Sequence, residues 1–218
     1  MTPEQTAQYF SDDNGTFRFA RWQRPLAPVV FGTDDATLDQ IKAAIQEVAG
    51  LCDLSLIDVD PEFGANFLVF FCSDWSELDD VPDLDAVIPD LRALIQRLSD
   101  AGANQYRLMR HDEAGAICLS VNLIRMNNAL AGTSARDLAL SFSAKSLLLW
   151  GTQAFAATDP VAKVSQSGVT IVKPEIAALL RSAYDPRIPV ASDDPSLALR
   201  LAARATLLLG DLTDDPRS

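Results

Sequence analysis

The chain of 218 residues is 48% hydrophobic and 22% charged, a composition that supports a hydrophobic core and excludes a wholly disordered protein. Thirty Asp and Glu residues against eighteen Lys and Arg residues give a net charge of −12, which disfavours nucleic acid and anionic membrane surfaces as partners. The most apolar window, 138–150, is too short to span a bilayer, and residues 1–15 contain no apolar signal-peptide core. We therefore expect a cytoplasmic protein that does not associate with membranes.

The first part of the chain predicts short strands and one clear helix. Residues 1–15 are polar, and we expect a flexible N-terminal segment with a short helix after Pro3. Apolar residues recur at helical spacing over 35–48, where Thr33 or Asp34 can cap the helix. Strands are predicted over 16–22, 29–31, 54–59 and 66–72. The last of these is continuously apolar, which is typical of a buried central strand.

The second part begins with an acidic connection and continues with a hairpin and four helices. A helix is predicted over 89–98, and two alternating segments form a hairpin around the turn at 112–115. Ser134 can cap a helix that reaches Leu149 or Trp150 and is apolar on two sides, so it should be a core helix packed between layers. The hairpin strands are 105–111 and 116–124, a further strand is 169–172, and the last helices are 174–184 and 194–210.

These elements predict an α+β fold. We expect a single domain over 16–210, in which helices pack on a mixed, largely antiparallel sheet of five to six strands. Residues 211–218 are predicted to be a disordered tail. A Rossmann-like fold is the second choice, because strict β-α-β alternation is absent.

The three cysteines, Cys52, Cys72 and Cys118, are far apart in the sequence. Two of them lie in apolar runs, where cysteine behaves as a small hydrophobic residue. No pair has the short spacing of a zinc site, so we predict buried free thiols and a reducing compartment.

No sequence motif predicts a reaction. Phosphate-binding and dinucleotide-binding glycine loops, the G-x-S-x-G nucleophile turn and the H-E-x-x-H zinc helix are all absent from the sequence. His111 is the single histidine, which rules out a metal site built from several histidines but leaves a lone general base open. We expect His111 to lie at the surface at the hairpin end.

The acidic connection carries seven carboxylates without one Lys or Arg. They are Asp74, Glu77, Asp79, Asp80, Asp83, Asp85 and Asp90. Their spacing matches no calcium loop, so a solvated loop or a docking surface for a basic partner is favoured over a metal site.

Arginines surround a tryptophan in the run FRFARWQRP. Arginine forks pair with carboxylate or phosphate, and tryptophan stacks on cations or ligand rings. The candidate ligand-binding residues are Arg18, Arg21, Trp22 and Arg24, with Arg107 and Arg110 if their strands are neighbours. The alternative is that these arginines neutralise the protein's own acidic surface while Trp22 anchors its strand.

The chain resembles a bacterial family of unknown function with a zincin-like, that is zinc-metallopeptidase-like, architecture. The resemblance covers about 16–156 and is carried by Arg21, Trp22, Pro25, Gly32, Ala65, Asn66 and the apolar strand 67–72. It implies that the active-site helix of the family corresponds to 134–155. That stretch contains no His and no Glu, so the resemblance carries over no zinc ligand and no general base.

Together these features favour a non-catalytic protein that binds a protein partner or a small anionic ligand. No cofactor and no metal are expected. One alternative is a hydrolase-like enzyme of unrecognised type that uses carboxylates or His111 with the arginines. A self-assembling structural role is the other.

Overall fold

The computed structural model describes residues 1–213, so 214–218 of the expected tail lie outside the described residues. The elements in chain order are α1 (Pro3–Gln8), β1 (Phe19–Ala20), β2 (Pro28–Phe31), α2 (Asp35–Gly50), β3 (Phe67–Cys72), a 3-10 helix (Trp75–Asp80), α3 (Leu84–Val87), α4 (Leu91–Asp100), β4 (Gln105–His111), β5 (Ile117–Arg125), α5 (Ala135–Ser146), β6 (Val161–Lys163), β7 (Thr170–Val172), α6 (Pro174–Ala183), β8 (Ala191–Ser192) and α7 (Leu197–Thr213). Helices and mixed sheets give an α+β fold, and helix α7 includes the first three residues of the expected tail.

The main sheet has four strands in the order β2–β3–β5–β4. Strand β3 is parallel to both β2 and β5, and β4 pairs antiparallel with β5 as the predicted hairpin. The expectation of a largely antiparallel sheet of five to six strands is therefore wrong. The remaining strands in the described part of the chain form two separate two-stranded sheets, β1–β8 and β6–β7.

The segment 54–59 is the clearest error in the predicted strands. It forms no strand, and its pairing is a single bridge between Leu56 and Leu26. Leu54 and Leu56 are partly buried against the core, so their alternation reflects packing of an extended loop rather than membership of a sheet.

Helices cover both faces of the sheet. Helices α2 and α5 pack on one face, where Ile41, Ile45 and Phe142 join Phe67 in one hydrophobic cluster. Helix α4 and the 3-10 helix lie on the other face. Strand β3 lies between β2 and β5, which confirms the predicted central strand, and β5 is buried from end to end except at Arg125.

The acidic connection and the N-terminal segment are more ordered than the sequence suggests. Trp75, Leu78 and Leu84 are buried within the acidic connection, so the 3-10 helix and α3 replace the expected solvated loop. In the expected flexible segment, α1 has a capping box, and the buried Phe10 stacks on Trp150 with ring centroids 5.4 Å apart. No helix within residues 1–213 is long and apolar enough to cross a membrane.

Helix α5 is the predicted core helix. Ser134 Oγ accepts a hydrogen bond from the backbone amide of Asp137, and eight of its twelve residues are buried. It ends at Ser146 rather than at Leu149 or Trp150, because Leu149 donates its amide to Ala20 instead of continuing the helix. All three cysteines are buried free thiols, as their sequence context predicts.

Replacing Gly32 with Ala should be far more destabilising than replacing Gly15. Both glycines have positive φ, at +80° and +78°, but a Cβ on Gly32 would lie 2.1 Å from the carbonyl oxygen of Phe71, whereas Gly15 faces open space. We expect Gly15→Ala to lower the free energy of unfolding by about 1–2 kcal/mol and Gly32→Ala by roughly 1–3 kcal/mol more. Chemical denaturation of the two variants measures this difference, and equal losses would contradict the close approach.

Acid should remove the contribution of Asp185, which follows α6 and binds Arg187 and, from α7, Arg204. Hydrogen bonds from the Arg187 side chain and backbone, with the charges of Arg187 and Arg204, lower the pKa of Asp185 to about 2. A lowered carboxyl pKa stabilises the fold above the unfolded-state value of about 3.9 and loses that effect as pH falls through the folded-state value. Denaturation of the wild type and Asp185→Asn should show a stability gap at neutral pH that closes near pH 2; a gap that is independent of pH would contradict this.

Candidate functional site

Trp22 and Arg21 are built into the core rather than into an open site. Trp22 is fully buried, and its indole Nε1 donates to the Ser146 carbonyl at 2.8 Å. The Arg21 guanidinium donates to the Trp22 and Ile188 carbonyls and lies over the Tyr184 ring, 5.5 Å from its centroid. The Trp22 contact connects the segment after β1 to α5, and the Arg21 contacts connect the same segment to the end of α6.

The other candidate arginines occupy different surroundings. Arg24 binds Glu62 at 2.8 Å and lies over the Phe63 ring, while Arg18 and Arg110 are exposed. Burial raises the pKa of the Cys118 thiol, and the charges of Arg24 and Arg110 act in the opposite direction. His111 is exposed at the hairpin end, as expected.

Arg107 is the candidate that lines a cavity of suitable chemistry. This cavity, which we call the Arg107 cavity, has a volume of about 270 Å³ and lies between the β4–β5 hairpin and α5. Its lining residues are Gln105, Tyr106, Arg107, Asn122, Leu123, Ile124, Phe142 and Lys145. Arg107 stands on the edge strand directly opposite Asn122, which places it over the polar part of β5.

The Arg107 guanidinium has no partner among residues 1–213, neither a carboxylate nor a carbonyl. It keeps some accessible surface, but burial lowers its pKa to about 10. A charge that is partly removed from water without a partner costs stability, and an anion that enters the cavity would compensate this cost.

Lys145 supplies the second positive charge of the Arg107 cavity. Its side chain is only 16% exposed, and its Nζ lies 3.1 Å from Asp159 Oδ2. Ser141 Oγ donates to the same oxygen at 2.9 Å. Asp159 therefore holds Lys145 in place, and Asp159 itself does not line the Arg107 cavity.

Asn122 forms a fixed polar floor. Its Oδ1 accepts from Ser146 Oγ at 2.9 Å, and its Nδ2 donates to Ser120 Oγ at 3.3 Å. Because both ends of the amide are engaged, the side chain cannot rotate to meet a ligand without breaking buried hydrogen bonds. Phe142 and Ile124 make the apolar part of the wall.

Two larger cavities carry the opposite charge. One, of about 890 Å³, is lined by Asp12, Asp13 and Glu175, and the other, of about 780 Å³, by carboxylates of the acidic connection such as Asp79 and Asp80. These carboxylates would repel an anion, so the largest cavity volume does not identify an anion-binding site. Within the described part of the chain, no group of three or more His, Cys, Asp and Glu side chains is placed to hold a metal ion.

Comparison with protein-family models, with curated proteins and with solved structures gives no match for this chain. The zincin-like resemblance therefore stays a prediction.

Sequence reasoning proposed Arg107 but missed Lys145, Asn122 and Phe142. The sequence contained an indication of Lys145, because it is the lone charged residue in the apolar window 138–150, and burying a charge without a partner is costly. Asn122 had a weaker one, as a polar residue on the buried strand β5. Their approach to Arg107 depends on how α5 lies on the sheet, which no local pattern encodes.

Removing the Arg107 charge should stabilise the free protein. Arg107→Met keeps the aliphatic stem and removes an uncompensated charge, so we expect the free energy of unfolding at pH 7 to rise by about 1–3 kcal/mol. Arg107 is protonated in both the folded and the unfolded protein at pH 7. The free-energy cost of keeping it charged in the folded state is therefore fully present at that pH. The control is Arg110→Met on the same strand, where an exposed side chain should change stability by less than about 0.5 kcal/mol. A loss of stability in Arg107→Met alone would show that the guanidinium is already compensated.

Proposed function

We propose that this protein is a non-catalytic cytoplasmic binding protein that holds a small organic carboxylate in the Arg107 cavity. The observation that carries the proposal is the half-buried guanidinium of Arg107, which has no partner among the described residues and lines the same cavity as Lys145. An arginine fork accepts the two oxygens of a carboxylate, and the apolar wall of Phe142 and Ile124 suits a short hydrocarbon attached to it.

The small volume supports a compact ligand. The cavity, at about 270 Å³, lies just below the usual range for drug-sized ligand sites. The cytoplasmic location is supported by three buried free thiols, which are typical of a reducing compartment. Under this proposal the chain is a zincin-like relative in which the stretch that corresponds to the family's active-site helix, 134–155, provides core residues and one wall of a binding cavity.

Butanoate and butanamide form a matched pair of probes, with almost the same shape but a different charge. We expect butanoate to raise the melting temperature of the protein and butanamide to leave it unchanged, because binding to the folded state alone adds about 2.7 kcal/mol of stability at a hundred times the dissociation constant. The ionic strength is held constant with NaCl, since an acidic chain responds to salt itself.

The same two variants separate site binding from a general salt effect. Arg107→Met should abolish the shift induced by butanoate, and Arg110→Met should retain it. Equal shifts with both probes, or an equal response of both variants, would overturn the proposal and direct the search to a protein partner. Consumption of a probe during the measurement would instead favour the enzyme alternative.

A further inference from the structure

A second cavity lies beside the Arg107 cavity and carries the opposite charge. This cavity, which we call the Asp137 cavity, has a volume of about 250 Å³, and Gln105 lines both. Its other lining residues come from α5, from the β6–β7 hairpin and from the segments that precede these two elements. Among them are Asp137, Ser141, Asp159, Lys163 and Thr170.

The Lys145–Asp159 ion pair marks the boundary between the two cavities. Lys145 lines the Arg107 cavity, and Asp159, 3.1 Å from its Nζ, lines the Asp137 cavity. Arg107 and Lys145 lie on one side of this boundary, and Asp137 and Asp159 lie on the other side together with the mostly exposed Lys163. A ligand that spans the boundary meets cations at one end and carboxylates at the other.

Asp137 has capacity for a cationic partner. Its side chain is 17% exposed, and its one ion-pair partner in residues 1–213, Lys163, lies 4.0 Å away with a side chain that is 71% exposed. A long, solvated pair of this kind contributes little and is easily replaced. Asp159, by contrast, is already engaged by Lys145 and Ser141.

Thr170 adds an independent observation on the same cavity. The residue is 4% exposed and lines the cavity, and its hydroxyl has no hydrogen-bond partner among the described residues. A buried hydroxyl without a partner costs free energy that a ligand group with hydrogen-bonding capacity can recover.

We infer that the ligand is a zwitterion, a short amino acid whose carboxylate binds Arg107 and whose ammonium group binds Asp137, with Thr170 as a further polar contact. This inference rests on the proposed function, because it names the ligand class of the same site. An amine or a carboxylate alone would satisfy only one of the two cavities.

The test compares unbranched ω-amino acids of three to six carbons with the unsubstituted carboxylates of equal length, by isothermal titration calorimetry. We expect at least one amino acid to bind about tenfold tighter than its carboxylate, since its ammonium group adds a charge-assisted hydrogen bond. Asp137→Asn should reduce this gain to less than about threefold and leave carboxylate affinity unchanged.

Asp35→Asn is the matched control. Asp35 also stands in the first turn of its helix, α2, so its removal reproduces the loss at the helix dipole without altering either cavity. It should keep the full amino-acid gain. Thr170→Val should raise the melting temperature of the free protein, because it removes the unpaired hydroxyl, and should weaken amino-acid binding.

The outcomes separate the two claims. If carboxylates bind and no amino acid of the series binds tighter, the zwitterion inference is overturned while the proposed function stands. If neither class binds to the wild type, the proposed function fails and the inference with it. An amino-acid gain that survives in Asp137→Asn would also overturn the assignment of the ammonium group.

Discussion

The carboxyl end of helix α5 is buried, and its carbonyl groups must find donors inside the protein. A helix leaves its last four carbonyls without intrahelical partners, and burying them unpaired is costly. Trp150 Nε1 donates to the Ala144 carbonyl at 3.1 Å, Trp22 Nε1 to Ser146 at 2.8 Å and the Tyr184 hydroxyl to Leu147 at 2.6 Å. These three donors come from three separate segments, so one helix end connects the β1 region, the segment after α5 and the end of α6.

This arrangement explains why the tryptophan in the arginine-rich run is structural. Its indole nitrogen donates a hydrogen bond to the end of α5, and its backbone amide donates to the Tyr184 hydroxyl at 3.3 Å. Arg21 stacks on the same tyrosine ring, so its charge is used to support the contact. Because the end of α5 is held in this way, Phe142 and Lys145 have a fixed position over β4 and β5 and line the same cavity as Arg107. The candidate site is therefore a consequence of how a core helix is anchored.

Local patterns predicted the elements that carry this arrangement but not their mutual placement. The cap at Ser134 and the two-sided apolar surface were sufficient for α5, and the alternation around 112–115 was sufficient for the β4–β5 hairpin. Parallel pairing of β3 with both neighbours was missed, because strand direction depends on connections rather than on composition. The opposition of Arg107 and Asn122 follows from hairpin register, whereas the approach of Lys145 depends on the anchoring of α5 by residues up to 124 positions away.

Carboxylates are abundant in this acidic chain, yet none of those in the described residues pairs with Arg107. Thirty carboxylates are present, and Arg24, Arg136, Lys145 and Arg204 all have carboxylate partners, yet Arg107 has none within residues 1–213. A charge left without an acidic partner departs from the usual rule for removed charges, and such departures are expected at functional sites, so we interpret Arg107 as a binding determinant under the proposed function. The fixed amide of Asn122 supports this interpretation, since a rigid floor prepares the cavity before a ligand arrives and lowers the entropy cost of binding. Under the proposed function, an anion in the Arg107 cavity would offset the free-energy cost of holding the Arg107 charge in the fold.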